Sequence, residues 1–105
     1  MFIKHIKEEK IKNELKKIID KYLNLDEYKI FFFGSRVTNA DKVSDRADID
    51  VGIKGKDTVD LFKLEKIREE VKDLPVLYKI DIVDFKRVDE DFQKIALKHI
   101  EPIND

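Results

Sequence analysis

The strongest constraint on this chain is a pair of short segments that set aspartate among β-branched apolar residues, 48–53 (DIDVGI) and 76–85 (VLYKIDIVDF). Aspartate is depleted in strands, so its presence there needs a reason. In the first segment, Asp48 and Asp50 stand two apart. A strand aims both carboxylates out of one face, roughly 7 Å apart along its length. Ile49 and Val51 then point the other way, into a core. Between the segments, Leu64, Ile67 and Val71 recur at helical spacing, after an N-cap signal at Asp57-Thr58 and before the stop at Pro75. Strands joined through a helix run parallel. If the two lie side by side, Asp81 joins Asp48 and Asp50 on the same sheet face. Asp84, three residues on, falls on the opposite face or past the strand end, where it reads as a structural or capping residue.

The rest of the pattern surrounds these strands. Ile11, Leu15, Ile18, Ile19 and Tyr22 form a helical stripe. Residues 28–33 (YKIFFF) read as a buried strand that stops at Gly34-Ser35, and 37–46 as a polar loop. A last helix starts near Asp89, with Phe92, Ile95, Ala96 and Ile100 on one face. The order implies an α/β (α+β) domain over 1–105, with a small mixed sheet of three to four strands backed by helices. The first two strands, joined only by a loop, can pair antiparallel, which would bring Gly34 beside Asp48.

Composition removes several chemistries. The 105 residues contain no cysteine, so disulfides and thiolate metal sites are excluded, and two isolated histidines, His5 and His99, leave little for a zinc site. Any metal must be held by carboxylates, which favours a hard cation, Mg²⁺ or Mn²⁺. Formal net charge is −1, against a strong basic field for nucleic acid. No apolar run suits a membrane span or a signal peptide, so a cytoplasmic location is expected.

Three carboxylates on one sheet face repel one another unless a cation sits among them. Gly34-Ser35 adds the second half of a site. A glycine after a buried strand lets a ligand approach the backbone, and serine offers a hydroxyl and an N–H to phosphate. Arg36 and Arg46 could neutralise phosphate charge. Arg46, like Lys79 beside Asp81, also fits simple salt bridging or solvation.

Taken together, FFFGSRVTNADKVSDRADIDVGI followed by IDIVDF resembles the minimal nucleotidyltransferases of the DNA polymerase β superfamily. It departs from their usual pattern at Ala47, where serine is common, and at Thr38-Asn39, where a second glycine is usual. The resemblance implies that a hydroxyl attacks the α-phosphate of a nucleoside triphosphate, ATP being favoured, and releases pyrophosphate. It implies two Mg²⁺ ions on Asp48 and Asp50, with Asp81 on the ion that activates the attacking hydroxyl. It also implies that Gly34, Ser35 and Arg36 hold the phosphates. Members this short resemble the antitoxin halves of pairs with helical HEPN-type proteins, which implies such a partner as AMP acceptor. The size implies a homo- or hetero-oligomer whose partner completes the site. Two alternatives stay open: a non-catalytic module that acts on a helical partner by contact, and an acidic-faced structural domain without metal.

Overall fold

A computed structural model describes residues 8–34, 48–76 and 78–104. Helix α1 (Glu8–Asp20) precedes strand β1 (Lys29–Phe33) and strand β2 (Ile49–Lys54). Helix α2 (Leu61–Lys72), strand β3 (Ile80–Asp84), helix α3 (Glu90–Ala96) and the short strand β4 (Glu101–Pro102) follow. The four strands form one mixed sheet in the order β3-β2-β1-β4. β2 pairs with β1 antiparallel and with β3 parallel, as the connections imply.

The sheet has two unlike faces. On one, Ile30, Phe32, Ile49, Val51, Ile53 and Ile82 pack with Ile11, Leu15 and Ile19 of α1 and Leu64, Ile67 and Val71 of α2. Each fully buried aliphatic or aromatic side chain there contributes about 1.5–3 kcal/mol of transfer free energy. That face fixes the register, because a slip of one residue would turn Ile49, Val51 and Ile53 to the wrong side. On the other face, Phe31, Phe33 and Phe85 form a second buried cluster, edge to face at 4.9–6.2 Å between ring centroids. Gly52 lies beneath it, and a Cβ there would run into the Phe31 and Phe85 rings. β1 is thus buried on both faces, as its unbroken apolar run suggests.

Several boundaries differ from those read in the sequence. The helix after β2 starts at Leu61, capped by Asp60, whose side chain accepts from the Lys63 N–H. Asp57-Thr58 does not cap it, because the chain first runs to Val59, which is fully buried and donates its N–H to Asp84 at 2.7 Å. The third strand begins at Ile80 rather than at Val76, where a turn bond from Val76 N–H to the Leu74 carbonyl holds the chain. The last helix ends at Ala96, short of Ile100, and the chain turns back to add β4 beside β1. Among the described residues no helix is long and apolar enough to cross a membrane.

Asp84 has the structural task its position suggested. It is 4% exposed, accepts from the N–H groups of Val59 and Lys86, and pairs with Arg87 at 3.2 Å. Arg87 in turn donates to the Val59 carbonyl. This clasp ties the start of α2 to the end of β3. Asp84→Ala would strand a buried N–H and is expected to cost about 2 kcal/mol in urea denaturation. A loss below about 0.5 kcal/mol would show that the clasp contributes little.

Candidate active site

The site starts from register. Asp50 lies directly opposite Asp81 across the parallel β2–β3 pair, with Ile49 opposite Ile80 and Val51 opposite Ile82. Their apolar neighbours are committed to the helix-backed core, so both carboxylates must leave the other face. Asp48 immediately precedes β2 and acts on Asp50 electrostatically. Burial first, then the charges of Asp81 and Asp48, push the Asp50 carboxyl up to about 6 from an ordinary 3.8. Lys79 pairs with Asp81 at 3.7 Å across a largely exposed contact, the solvated salt bridge its sequence position allowed.

Gly34 closes the end of β1 with a φ of +83°, a left-handed conformation that glycine adopts without steric cost. Its neighbour is Asp50 rather than Asp48, because the antiparallel register pairs Phe33 with Asp50. A Cβ at Gly34 would collide with the Asp50 carboxylate, so this glycine is required by close approach as well as by φ. Ser35, Arg36 and Arg46, with the rest of 35–47, lie outside the described residues.

An open cavity of about 1040 Å³ adjoins these groups. Gly34, Asp50 and Asp81 line it together with Val83, Phe92 and Ile95. The spacing in the sequence puts Phe92, Ile95, Ala96 and Ile100 on one face of the last helix. In the structure no residue of α3 is buried, and Phe92 and Ile95 are 41% and 70% exposed. An apolar stripe at helical spacing marks a covered face, and spacing cannot tell a core from a cavity wall.

The donor set suits a hard cation, since every candidate ligand is a carboxylate oxygen. Among the described residues no three acidic or histidine groups already stand close enough to hold a metal ion. The opposed pair Asp50–Asp81 still fits Mg²⁺, which is usually held by one or two carboxylates while water and phosphate supply the other oxygens.

Comparison with known families adds the decisive observation: residues 9–104 match Polbeta, the polymerase beta nucleotidyltransferase family. The chain belongs to that family. Members of this nucleotidyltransferase family generally use a divalent metal. Among curated proteins, this polymerase beta nucleotidyltransferase is 27% identical over 72 residues to the probable protein adenylyltransferase MntA of Haemophilus influenzae. The match covers 69% of this chain and 61% of that protein.

Solved structures share its fold. A toxin–antitoxin crystal structure with AMP-PNP aligns with a TM-score of 0.69 at 16% identity, over 89% of this chain and 72% of the other. A toxin–antitoxin MntA-HpeT mutant, with two aspartates two positions apart changed to glutamate, aligns at 0.67 and 14% identity, over 89% and 71%. A tri-AMPylated Shewanella oneidensis HEPN toxin in complex with MNT antitoxin aligns at 0.65 and 15% identity, over 91% and 71%.

The raised pKa of Asp50 has a consequence for stability. From about pH 4 to pH 6 the folded chain keeps a proton at Asp50 that the unfolded chain has released. Stability therefore falls as pH rises through this window, and the full penalty of the ionised group is present above it. Asp50→Asn is expected to stabilise the chain at pH 7.5 in chelator by about 1 kcal/mol, a gain reduced by solvent screening. At pH 4 the gain should vanish. Equal effects at both pH values in urea denaturation would show that folding does not raise the Asp50 carboxyl.

Proposed function

We propose that this chain is a Mg²⁺-dependent nucleotidyltransferase that moves AMP from ATP to a hydroxyl of a HEPN-type helical partner, as the antitoxin half of a toxin–antitoxin pair. The observation that carries this reading is the direct opposition of Asp50 and Asp81, with Gly34 against Asp50. The family match supports nucleotidyl transfer. The relative named an adenylyltransferase supports AMP as the group moved, and the AMP-PNP complex supports ATP as its source. The tri-AMPylated HEPN toxin supports a protein acceptor. In the MntA-HpeT mutant the two altered aspartates have the spacing of Asp48 and Asp50, which supports a functional role for this pair.

In this reaction the acceptor oxygen bonds to the α-phosphorus, the bond from that phosphorus to the bridging oxygen of the β-phosphate breaks, and pyrophosphate leaves. Asp48, Asp50 and Asp81 would hold the divalent cation, which when bound supplies positive charge for the phosphate oxygens and for the hydroxyl that must ionise. Asp81 would accept the hydroxyl proton. Gly34 lets a phosphate approach the end of β1, and Ser35 and Arg36 follow it in the chain as further phosphate contacts. Catalysis of this kind depends on positioning and charge neutralisation.

The test is nucleotide transfer from labelled ATP, GTP, CTP and UTP with Mg²⁺ and the helical partner protein present. Label from ATP on the partner is expected, with a loss of at least about a hundredfold in Asp48→Asn/Asp50→Asn. Absence of label from every triphosphate, with the partner still bound and inactivated, would replace this reading with the contact-only antitoxin.

A further inference from the structure

The apolar stripe of α3 raises a separate question. Phe92 and Ile95 are 41% and 70% exposed, Phe92 only partly packed on Phe33 and Phe85, and both lie in one cavity with Asp50 and Asp81. Phe92 is fixed from behind. Its ring stands edge-on to Phe33 at 6.1 Å and tilted against Phe85 at 5.9 Å, while its N–H donates to the α3 cap at Asp89 at 2.8 Å. Phe33 is the cross-strand partner of Asp50, so one aromatic contact separates the exposed ring from the carboxylates.

We propose that Phe92 is the stacking platform for the base of the nucleotide whose phosphates lie at Asp50 and Asp81, with Ile95 and Val83 completing the wall. The inference rests on the nucleotide-binding reading above and adds to it the element that recognises the base. An immobilised, part-exposed ring offers a π-face at low entropic cost, and stacking tolerates any base. The cavity of about 1040 Å³ is at the upper end of the range for small-ligand sites. A protein segment is the poorer occupant. Among the described residues that line the cavity, the exposed large apolar side chains are Phe92 and Ile95, far less surface than the roughly 1,000 Å² that a specific protein interface buries. Phe92 therefore makes a base-bearing triphosphate bind better than the bare polyphosphate.

The experiment is calorimetric binding of ATP and of inorganic tripolyphosphate, with Mg²⁺, to the full chain and to Phe92→Leu and Phe92→Tyr. Leucine keeps apolar contact with Phe33 and Phe85 but removes the ring face, and thermal melting checks that each variant is folded. The platform requires wild type to favour ATP, Phe92→Leu to weaken ATP about fivefold or more with tripolyphosphate unchanged, and Phe92→Tyr to retain ATP affinity. Unchanged ATP affinity in Phe92→Leu overturns it, and if binding of the helical partner falls instead, the face belongs to that protein. Wild type that binds ATP and tripolyphosphate equally overturns the platform alone. Wild type that binds neither overturns the nucleotide reading as well.

Discussion

The parallel pairing of β2 with β3 sets Asp50 against Asp81, and the site depends on that pairing. Adjacent strands lie about 4.8 Å apart, so two carboxylates facing each other across the pair repel at close range. They are held together by what lies on the reverse of the same strands. Ile49, Val51, Ile53 and Ile82 are all buried against α1 and α2, and their burial outweighs the repulsion. A one-residue slip would part the carboxylates but turn that face to the wrong side. The chain thus uses core stability to hold a partly buried carboxylate pair, and burial first, then the charges of Asp81 and Asp48, raise the Asp50 carboxyl.

The opposite face completes the geometry by omission as much as by contact. Gly34 and Gly52 both lack the side chain that would collide there, the first with Asp50 and the second with Phe31 and Phe85. The Phe31–Phe33–Phe85 cluster covers Gly52 on this face and reaches the carboxylates at Phe33, the cross-strand partner of Asp50. α3 packs only partly on that cluster, and the cavity remains between its exposed stripe and the acidic pair. Arg68 donates to the Ile82 carbonyl from α2, which covers part of the outer edge of β3. The Asp84–Val59–Arg87 clasp fixes the far end of the same strand.

What the sequence disclosed follows from which physical rules are local. Alternation with period two placed Asp48 and Asp50 on one face and set Asp84 apart from Asp81, because side-chain direction along a strand needs no tertiary information. A helix between two strands implied the parallel pair that brings in Asp81. Boundaries set by tertiary contacts were not legible. Asp57-Thr58 has the chemistry of a cap, but the buried bond from Val59 to Asp84 moves the helix start to Leu61. β4 is two residues long and carries no pattern of its own. Gly34 was legible as the residue that ends β1 beside the aspartate strand, but its neighbour, Asp50 rather than Asp48, depends on a register that an intervening loop does not specify. The stripe of α3 was legible as apolar, though not as a wall that faces a cavity.

Paramagnetic broadening by Mn²⁺ tests the acidic pair most directly, because it reports where a divalent cation sits whether or not a reaction follows. With ATP present, the backbone amide signals of Ile49, Asp50 and Val51 and of Ile80, Asp81 and Ile82 should broaden first, and Asp50→Asn should abolish the effect. Broadening centred elsewhere on the chain, or none at Mn²⁺ concentrations that saturate free ATP, would contradict a cation site between β2 and β3.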